Sequence, residues 1–460
     1  MLTGSAYKQS LLDGRKVYHL GQRIDDVVNH PSLSLQVGIA ADAYDHFWEE
    51  GVEQNWYLQT PDSPEAQRKH AATHVDQLTH TTFTCFMTLL TAGDRIAAVR
   101  PQGREAIQRY VEDARRRDIR LVECITDAKG DRALPPGKQA DPDAYLRVVE
   151  RRPDGVVIRG AKLHISLAAI SHDLMVMPTK AMKPDEGDYA IACAVPANAP
   201  GVKIVSVGTP PEGDLRDWPI AAKRYNAQDF VIFDDVFVPN DRIFLDGETE
   251  MAAAFAHSLG LWIRAFSLAM SADCWDTLVG LAQLTAEANG TEKIPHIREK
   301  ITDMAINATL VRATYEAAMA TGTPAPGGAL LPNELYANVG KYLMAAEHSL
   351  MLRHLIDIAG GSTKTVPSVS DFENPETGDL LRKYMASKPG VDGDYRARLF
   401  RAVRDMTVSS FAGYEMISLL QGGGGLNAQR VVTRGRYDFD RARQMAKEWT
   451  GLDKDDHKAE

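Results

Sequence analysis

The sequence predicts an α+β chain in three parts: a helical N-terminal domain over residues 1–142, a central antiparallel β-barrel over 143–246 and a C-terminal helical bundle over 247–460. Three observations predict it. Up to about Ala140, apolar side chains recur at helical spacing. Between Asp143 and Leu245 the texture changes to short β-rich runs broken by Pro and Gly, with no intervening helix to build parallel βαβ units. From Glu248 onward, long apolar helical patterns return.

In the first part, Ser63-Pro64-Glu65 is a helix start: a side-chain cap, a proline in the first turn and an acid at the positive end. That helix is expected to run through Ala71 and Val75 toward Leu78. A second, Gly103 to Arg117, carries Ile107, Tyr110 and Val111 on one face. In the central part, Tyr145–Val149 and Val156–Ile158 flank Arg152-Pro153-Asp154-Gly155, a turn between two strands. Leu174–Met177, Tyr189–Val195, Val202–Val207 and Phe230–Val238 follow as further strands. In the last part, Met251 to Ala288 is apolar on most sides and must be buried on more than one face. Ile301–Met319 and Glu334–Ala359 are further helices, separated by the Pro- and Gly-rich segment Gly322–Pro332.

Composition narrows the function classes. The 460 residues carry a net charge of −10, so no global basic footprint for nucleic acid exists. Cys85, Cys124, Cys193 and Cys274 are widely spaced and form no CxxC pair, which excludes zinc-ribbon and thioredoxin-like motifs. The amino terminus has no basic segment leading into an apolar core, and the uncharged runs Gln77–Gly93 and Ala317–Asn333 fall short of the ~18 apolar residues a membrane helix needs. A cytoplasmic protein with no membrane or nucleic-acid partner is expected.

The most specific stretch is Ile125-Thr126-Asp127-Ala128-Lys129-Gly130-Asp131-Arg132, at the junction of the first two parts, a favoured place for a cofactor. Thr126 supplies a hydroxyl, Gly130 permits close backbone approach, and Lys129 and Arg132 suit a diphosphate. The alternative is a polar loop closed by an internal Asp–Arg pair. Next comes Gly160-Ala161-Lys162-Leu163-His164-Ile165-Ser166, where strand alternation puts His164 and Ser166 on one face. Alone, His164 and His172 read as ordinary satisfied polar residues.

Together these blocks resemble the family of 4-hydroxyphenylacetate 3-hydroxylases and 4-hydroxybutyryl-CoA dehydratases. The likeness extends to Tyr7–Leu11, Val17-Tyr18, His30-Pro31, Phe233–Phe244, Ile358-Ala359-Gly360-Gly361 with Pro367-Ser368, and Ala428-Gln429-Arg430. The TDAKGDR and GAKLH blocks look closer to the dehydratase branch. The resemblance implies an acyl-CoA dehydrogenase-like fold, a homotetramer built as a dimer of dimers, and FAD. It places Ile125, Thr126, Asp127, Lys129, Gly130, Asp131 and Arg132 on the cofactor, His164, Ile165 and Ser166 along the flavin, and Gly360 and Gly361 at a turn that approaches it.

The sequence departs from both branches. The dehydratases' iron–sulfur ligands, a Cys-x3-Cys pair and a His-x6-Cys pair, fall on Cys85, Leu89, Ile263 and Met270. One cysteine cannot hold a cluster that wants four ligands, so no metal is expected. The hydroxylases' Arg and Tyr would fall within Thr82–Thr91, which has neither, and their His falls on Glu123. Glu123 is a candidate base, or else the partner of a basic neighbour. Gln228 stands where the dehydratase branch has a glutamate. The expected function is an FAD-dependent monooxygenase that uses reduced flavin and oxygen on a small aromatic or related organic substrate. Ser166 and Glu123 are its catalytic residues, and a separate flavin reductase feeds it, since no GxGxxG motif for a nicotinamide cofactor appears. The alternative is a cluster-free lyase or isomerase acting on a hydroxyacyl- or enoyl-CoA thioester. The Gly422–Gly425 run carries no dinucleotide signature.

Overall fold

A computed structural model describes residues 1–208 and 210–452; the last eight residues of the expected bundle lie outside the described residues. The chain opens with helix α1 (Gly4–Ser10), the hairpin β1 (Val17–His19) and β2 (Gln22–Ile24), then α2 (Ser34–Phe47). Helix α3 (Pro64–Ala72) starts on the Ser63 cap as expected, but it stops at Ala72 instead of reaching Leu78. Thr73 is extended, and Asp76 caps a new helix, α4 (Gln77–Ile96), by accepting from the Leu78 and Thr79 N–H groups at 2.9 and 3.1 Å. The β-branched Thr73 and Val75 disfavour helix, and a buried carboxylate at the next N-terminus offers a better use of the backbone donors. Helix α5 (Pro101–Arg116) and strand β3 (Leu121–Cys124) lead into the central region.

That region contains β4 (Arg147–Arg152), β5 (Gly155–Ser166), β6 (Asp173–Val176), β7 (Ile191–Pro196), β8 (Val202–Val207), the short helix α6 (Ala221–Arg224), β9 (Gln228–Pro239) and β10 (Ile243–Asp246). The expected closed barrel is not formed. The strands make two open sheets, one in the order β2-β1-β8-β9-β5-β4 and one in the order β10-β7-β6-β3. Two pairings, β1 with β8 and β3 with β6, are parallel. The reason is the N-terminal region, which contributes β1, β2 and β3. These strands extend the sheets sideways with segments distant in sequence, so the central strands never close on themselves.

Alternation along β3 decides what faces where. Val122 and Cys124 enter the core between the sheets, with Val176, Cys193, Ile158 and Phe233. Leu121 and Met175 point the other way, into a core shared with the helices. That second core is built on α7 (Ala252–Asn289), α8 (Pro295–Ala320) and α9 (Glu334–Ala359), which pack on one another, with α7 also packing on α4. Phe83 of α4 meets Phe266 edge-on at 5.0 Å, and the Trp262 indole N–H donates to Thr91 Oγ1 at 2.9 Å. Thr249–Asn289 is long and apolar enough to cross a membrane by length and composition, but 61% of its most apolar stretch is buried inside the protein. It is the core helix of the bundle.

Candidate functional site

The site is built where β3 runs out into Ile125–Arg132 beside the end of β5. The Leu163 N–H donates to Thr126 O at 2.7 Å, which fixes the loop against the strand. Beneath this contact lies a buried ion pair that the sequence did not signal. Lys162 and Asp127, each with a side chain 2% exposed, stand 2.7 Å apart. Lys162 Nζ also donates to the carbonyls of Ile125 and Met177, both at 2.9 Å, so its three protons are all used. Asp127 accepts from the Leu146 N–H at 2.9 Å, and the single Thr179 hydroxyl proton lies between Asp127 and Ile125 O, the latter at 2.7 Å. Buried charges are tolerated only when paired and hydrogen-bonded, and this pair is both. The Asp127 carboxylate is therefore spent inside the protein, where it shapes the loop.

What the loop presents outward is cationic. Lys129 (φ 73°) and Gly130 (φ 52°) both take left-handed backbone, which turns the chain sharply. The internal Asp–Arg pair of the alternative reading is not formed: Asp131 accepts from the Ala133 N–H at 2.9 Å, and Arg132 is exposed and makes no ion pair among the described residues. The Lys129 ammonium is held below its usual value by burial and by Arg132, with Lys180 adding to the same repulsion. Lys180 stands 5.3 Å from the Tyr145 ring. Three cations gather here, and the acid that faces Lys129, Asp127, is already paired with Lys162, which leaves positive charge for a diphosphate. The donor set fits the phosphates of FAD.

Glu123 sits two residues before the loop, on the face of β3 turned toward the helices. Pairing with a basic neighbour is not what the structure shows: the partner of Glu123 is the Thr84 hydroxyl of α4. Burial raises the carboxyl to about 7, against a smaller lowering by Thr84. One turn further along α4, Thr88 Oγ1 is buried with no hydrogen-bond partner. A polar strip, Thr84, Thr88 and Glu123, therefore lies within an apolar wall that includes Cys85 and Leu89.

Ser166 ends β5. Simple alternation does not relate it to His164, because the register of β5 against β9 shifts between Lys162 and Ile165, and His164 takes φ 60° in that bulge. His164 is exposed, whereas Ile165 is buried in the sheet core. The Ser166 hydroxyl lies 3.0–3.1 Å from the Gln228 amide, whose Nε2 donates to Asn226 Oδ1 at 2.7 Å. Asn226 and Leu167 line a cavity of about 430 Å³ that also meets His80, Phe266 and Arg224. Burial lowers His80 to about 4, so it is neutral at physiological pH. His80 and Thr84, one turn apart on α4, connect this cavity to the Glu123 strip.

Gly360 (φ 68°) and Gly361 end α9 in open space, and the turn they make packs toward the helix Gly393–Thr407. Within one chain they form no hydrogen bond to the 125–132 loop or to Ser166. His172 is a satisfied polar residue, accepting from the Arg120 N–H at 2.9 Å and meeting Ser10 Oγ at 2.8 Å. An iron–sulfur cluster does not fit. Cys85 is buried among apolar neighbours, Leu89 and Ile263 are alkyl, and Met270 is a half-exposed thioether.

Comparison with known proteins agrees with this architecture. The 4-hydroxyphenylacetate 3-hydroxylase N-terminal family matches residues 63–245, and its C-terminal family matches residues 252–451. The chain is 30% identical to a 4-hydroxybutyryl-CoA dehydratase/vinylacetyl-CoA-Delta-isomerase of Clostridium aminobutyricum, covering 98% of this chain and 100% of that one. It is 27% identical to a 4-hydroxyphenylacetate 3-monooxygenase oxygenase component of Geobacillus sp. (strain PA-9), over 89% and 88% of the two chains. Among solved structures, an oxygen-tolerant archaeal 4-hydroxybutyryl-CoA dehydratase from N. maritimus superposes with a TM-score of 0.88 at 28% identity, covering 98% and 95%. A 4-hydroxyphenylacetate 3-monooxygenase oxygenase component complexed with FAD gives 0.85 at 22%, covering 98% and 100%, a likeness of fold. The chain belongs to the 4-hydroxyphenylacetate 3-hydroxylase family of enzymes, which spans flavin-dependent monooxygenases and a dehydratase/isomerase branch.

Proposed function

We propose that this chain is the oxygenase component of a two-component system, an FAD-dependent monooxygenase acting on a small aromatic or related organic substrate and supplied with reduced flavin by a separate reductase. The single observation that carries the reading is that Leu89, Ile263 and Met270, at positions where the resemblance implies cluster ligands, cannot hold iron, beside a cation set that suits FAD. Cluster-dependent dehydration needs those ligands; oxygenation by reduced flavin does not. Bound FAD, once reduced, would supply the electrons that activate oxygen, and the protein supplies position and dryness.

The chain's own groups take the remaining tasks. Lys129, Arg132 and Lys180 hold the diphosphate, while Thr126 and Gly130 let the backbone come close. Ser166, oriented by Gln228 and through it by Asn226, offers a hydroxyl at a fixed angle along the flavin edge. Glu123, poised near neutrality and steadied by Thr84, accepts and returns a proton at the substrate. Leu89 and Cys85 keep that end of the site apolar. Gly360 and Gly361 are assigned to the cofactor through a neighbouring copy in a dimer of dimers.

The second reading, a cluster-free lyase or isomerase on a hydroxyacyl- or enoyl-CoA, is favoured by one observation: the 30% identity to a dehydratase/isomerase runs the full length of both chains. A carboxyl that titrates near neutrality also suits moving a proton along an acyl chain. Oxygen consumption separates the two. The FAD-loaded chain, given reduced flavin and a panel of phenols, is expected to consume oxygen with substrate-dependent product; anaerobic conversion of an acyl-CoA would favour the second reading.

A further inference from the structure

Ser166 takes its direction from a short segment that is itself held from the other end of the chain. Gln228 lies opposite Ser166 in the β5–β9 ladder, and Asn226 orients the Gln228 amide. Between them, Ala227 makes two backbone contacts. Its carbonyl accepts from the N–H of Leu167, directly after Ser166, at 3.0 Å. Its N–H donates at 2.9 Å to Oε1 of Gln36, which lies on α2 and 191 positions away. Leu167 takes φ 61°, a left-handed conformation that a bulky side chain adopts only where its surroundings hold it.

Gln36 is 2% exposed, and its Nε2 is buried with no hydrogen-bond partner. The amide cannot be turned round, because the Ala227 N–H needs an acceptor. A methionine there would fill the same space without burying an orphaned donor. The glutamine is therefore explained by its one acceptor, which fixes Ala227. Gln36, Leu167 and Asn226 also form part of the wall of the 430 Å³ cavity. The segment has a separate anchor at its start. Asp405, fully buried on the helix Gly393–Thr407, accepts from the Ile220 and Ala221 N–H groups, both at 2.8 Å. Removing the Gln36 acceptor thus loosens Asn226–Gln228 and leaves the rest attached.

We infer that, with Ser166 placed along the flavin as proposed, Gln36 is a positioning residue for its hydroxyl. Gln36 acts through Ala227, whose N–H it holds. The chain carries this constraint to Gln228, and the Ala227 carbonyl carries it to Leu167.

Gln36→Met removes the acceptor and the orphaned donor together and keeps the length of the side chain. In the apoprotein, hydrogen exchange is expected to run about tenfold faster at the Ala227 and Leu167 amides and unchanged at Ile220 and Ala221. In the FAD-loaded chain, Gln36→Met is expected to shift the flavin midpoint potential in the same direction as Ser166→Ala. In the Ser166→Ala background it is expected to add nothing. Gln36→Glu, which keeps an oxygen acceptor in place, is expected to restore both readouts. Gln36→Asn withdraws the acceptor by one methylene and is expected to give the same two changes in smaller measure, should Gln36→Met not fold. Unchanged exchange at Leu167, or shifts that add in the double variant, overturn the positioning role. A potential that Ser166→Ala leaves unmoved removes Ser166 from the flavin, and the positioning role falls with it.

Discussion

At Glu123 a single carboxyl carries a stability effect and, in the proposed reaction, a chemical one. The folded chain holds its proton up to about pH 7, whereas a free glutamate releases it near 4.5. Ionising it therefore costs stability as pH rises through that window, and the cost is complete above it. Glu123→Gln is expected to gain on wild type by up to about 3 kcal/mol in denaturant unfolding at pH 8, and by nothing at pH 4. A gain that does not change with pH would mean the carboxyl is not held protonated. The same substitution is expected to slow product formation while leaving the reaction of reduced flavin with oxygen unchanged, as a proton-moving role requires. Arg132 gives the complementary case. It is exposed and makes no ion pair among the described residues, so Arg132→Ala is expected to leave apoprotein melting untouched and to weaken FAD binding by about 1.5–3 kcal/mol, read by fluorescence titration. Unchanged FAD affinity would remove the loop from the cofactor site.

The elements show which parts of the site the sequence could reveal. Caps and periodicity located α3, α5, α7 and α9 because these signals are local: a Ser-Pro-Glu start, an apolar stripe, a Pro- and Gly-rich break. The 125–132 loop stands out in the sequence through its Lys, Gly and Arg, residue types that suit phosphates, and its role at the cofactor belongs to the proposal. Long-range partners were not legible. Lys162 and Asp127 are 35 positions apart, and only folding shows that they neutralise each other. The bulge at His164 was hidden too, because a histidine in left-handed backbone carries none of the glycine signal that marks such sites. The barrel failed for the same reason: β1, β2 and β3 come from a region whose own pattern is helical. The buried pair ties the loop to β5, so Asp127→Asn is expected to cost about 3–5 kcal/mol in unfolding free energy, and the double change Asp127→Leu with Lys162→Met to recover much of it. A double variant no more stable than the single one would show that the pair positions the loop in a way no apolar substitute can.

Across the whole molecule, two cores divide the work. The sheets enclose one, the bundle and α4 enclose the other, and β3 lies between them with a different face in each. That placement puts Glu123 on the helical side, two residues from a loop held by the sheet side. The bundle also leaves Leu284, Ile306 and Leu310 more than 40% exposed. Light scattering after size exclusion is expected to find a tetramer, as a dimer of dimers requires; a monomer would leave Gly360 and Gly361 without a route to the flavin. The central claim is oxygenation by reduced flavin, and isotope labelling tests it most directly. Reduced FAD, the purified chain and a panel of phenols are combined under ¹⁸O₂, and products are read by mass spectrometry. The account predicts one labelled oxygen atom per hydroxylated product. Unlabelled products, together with conversion of 4-hydroxybutyryl-CoA or vinylacetyl-CoA in the absence of oxygen, would contradict it.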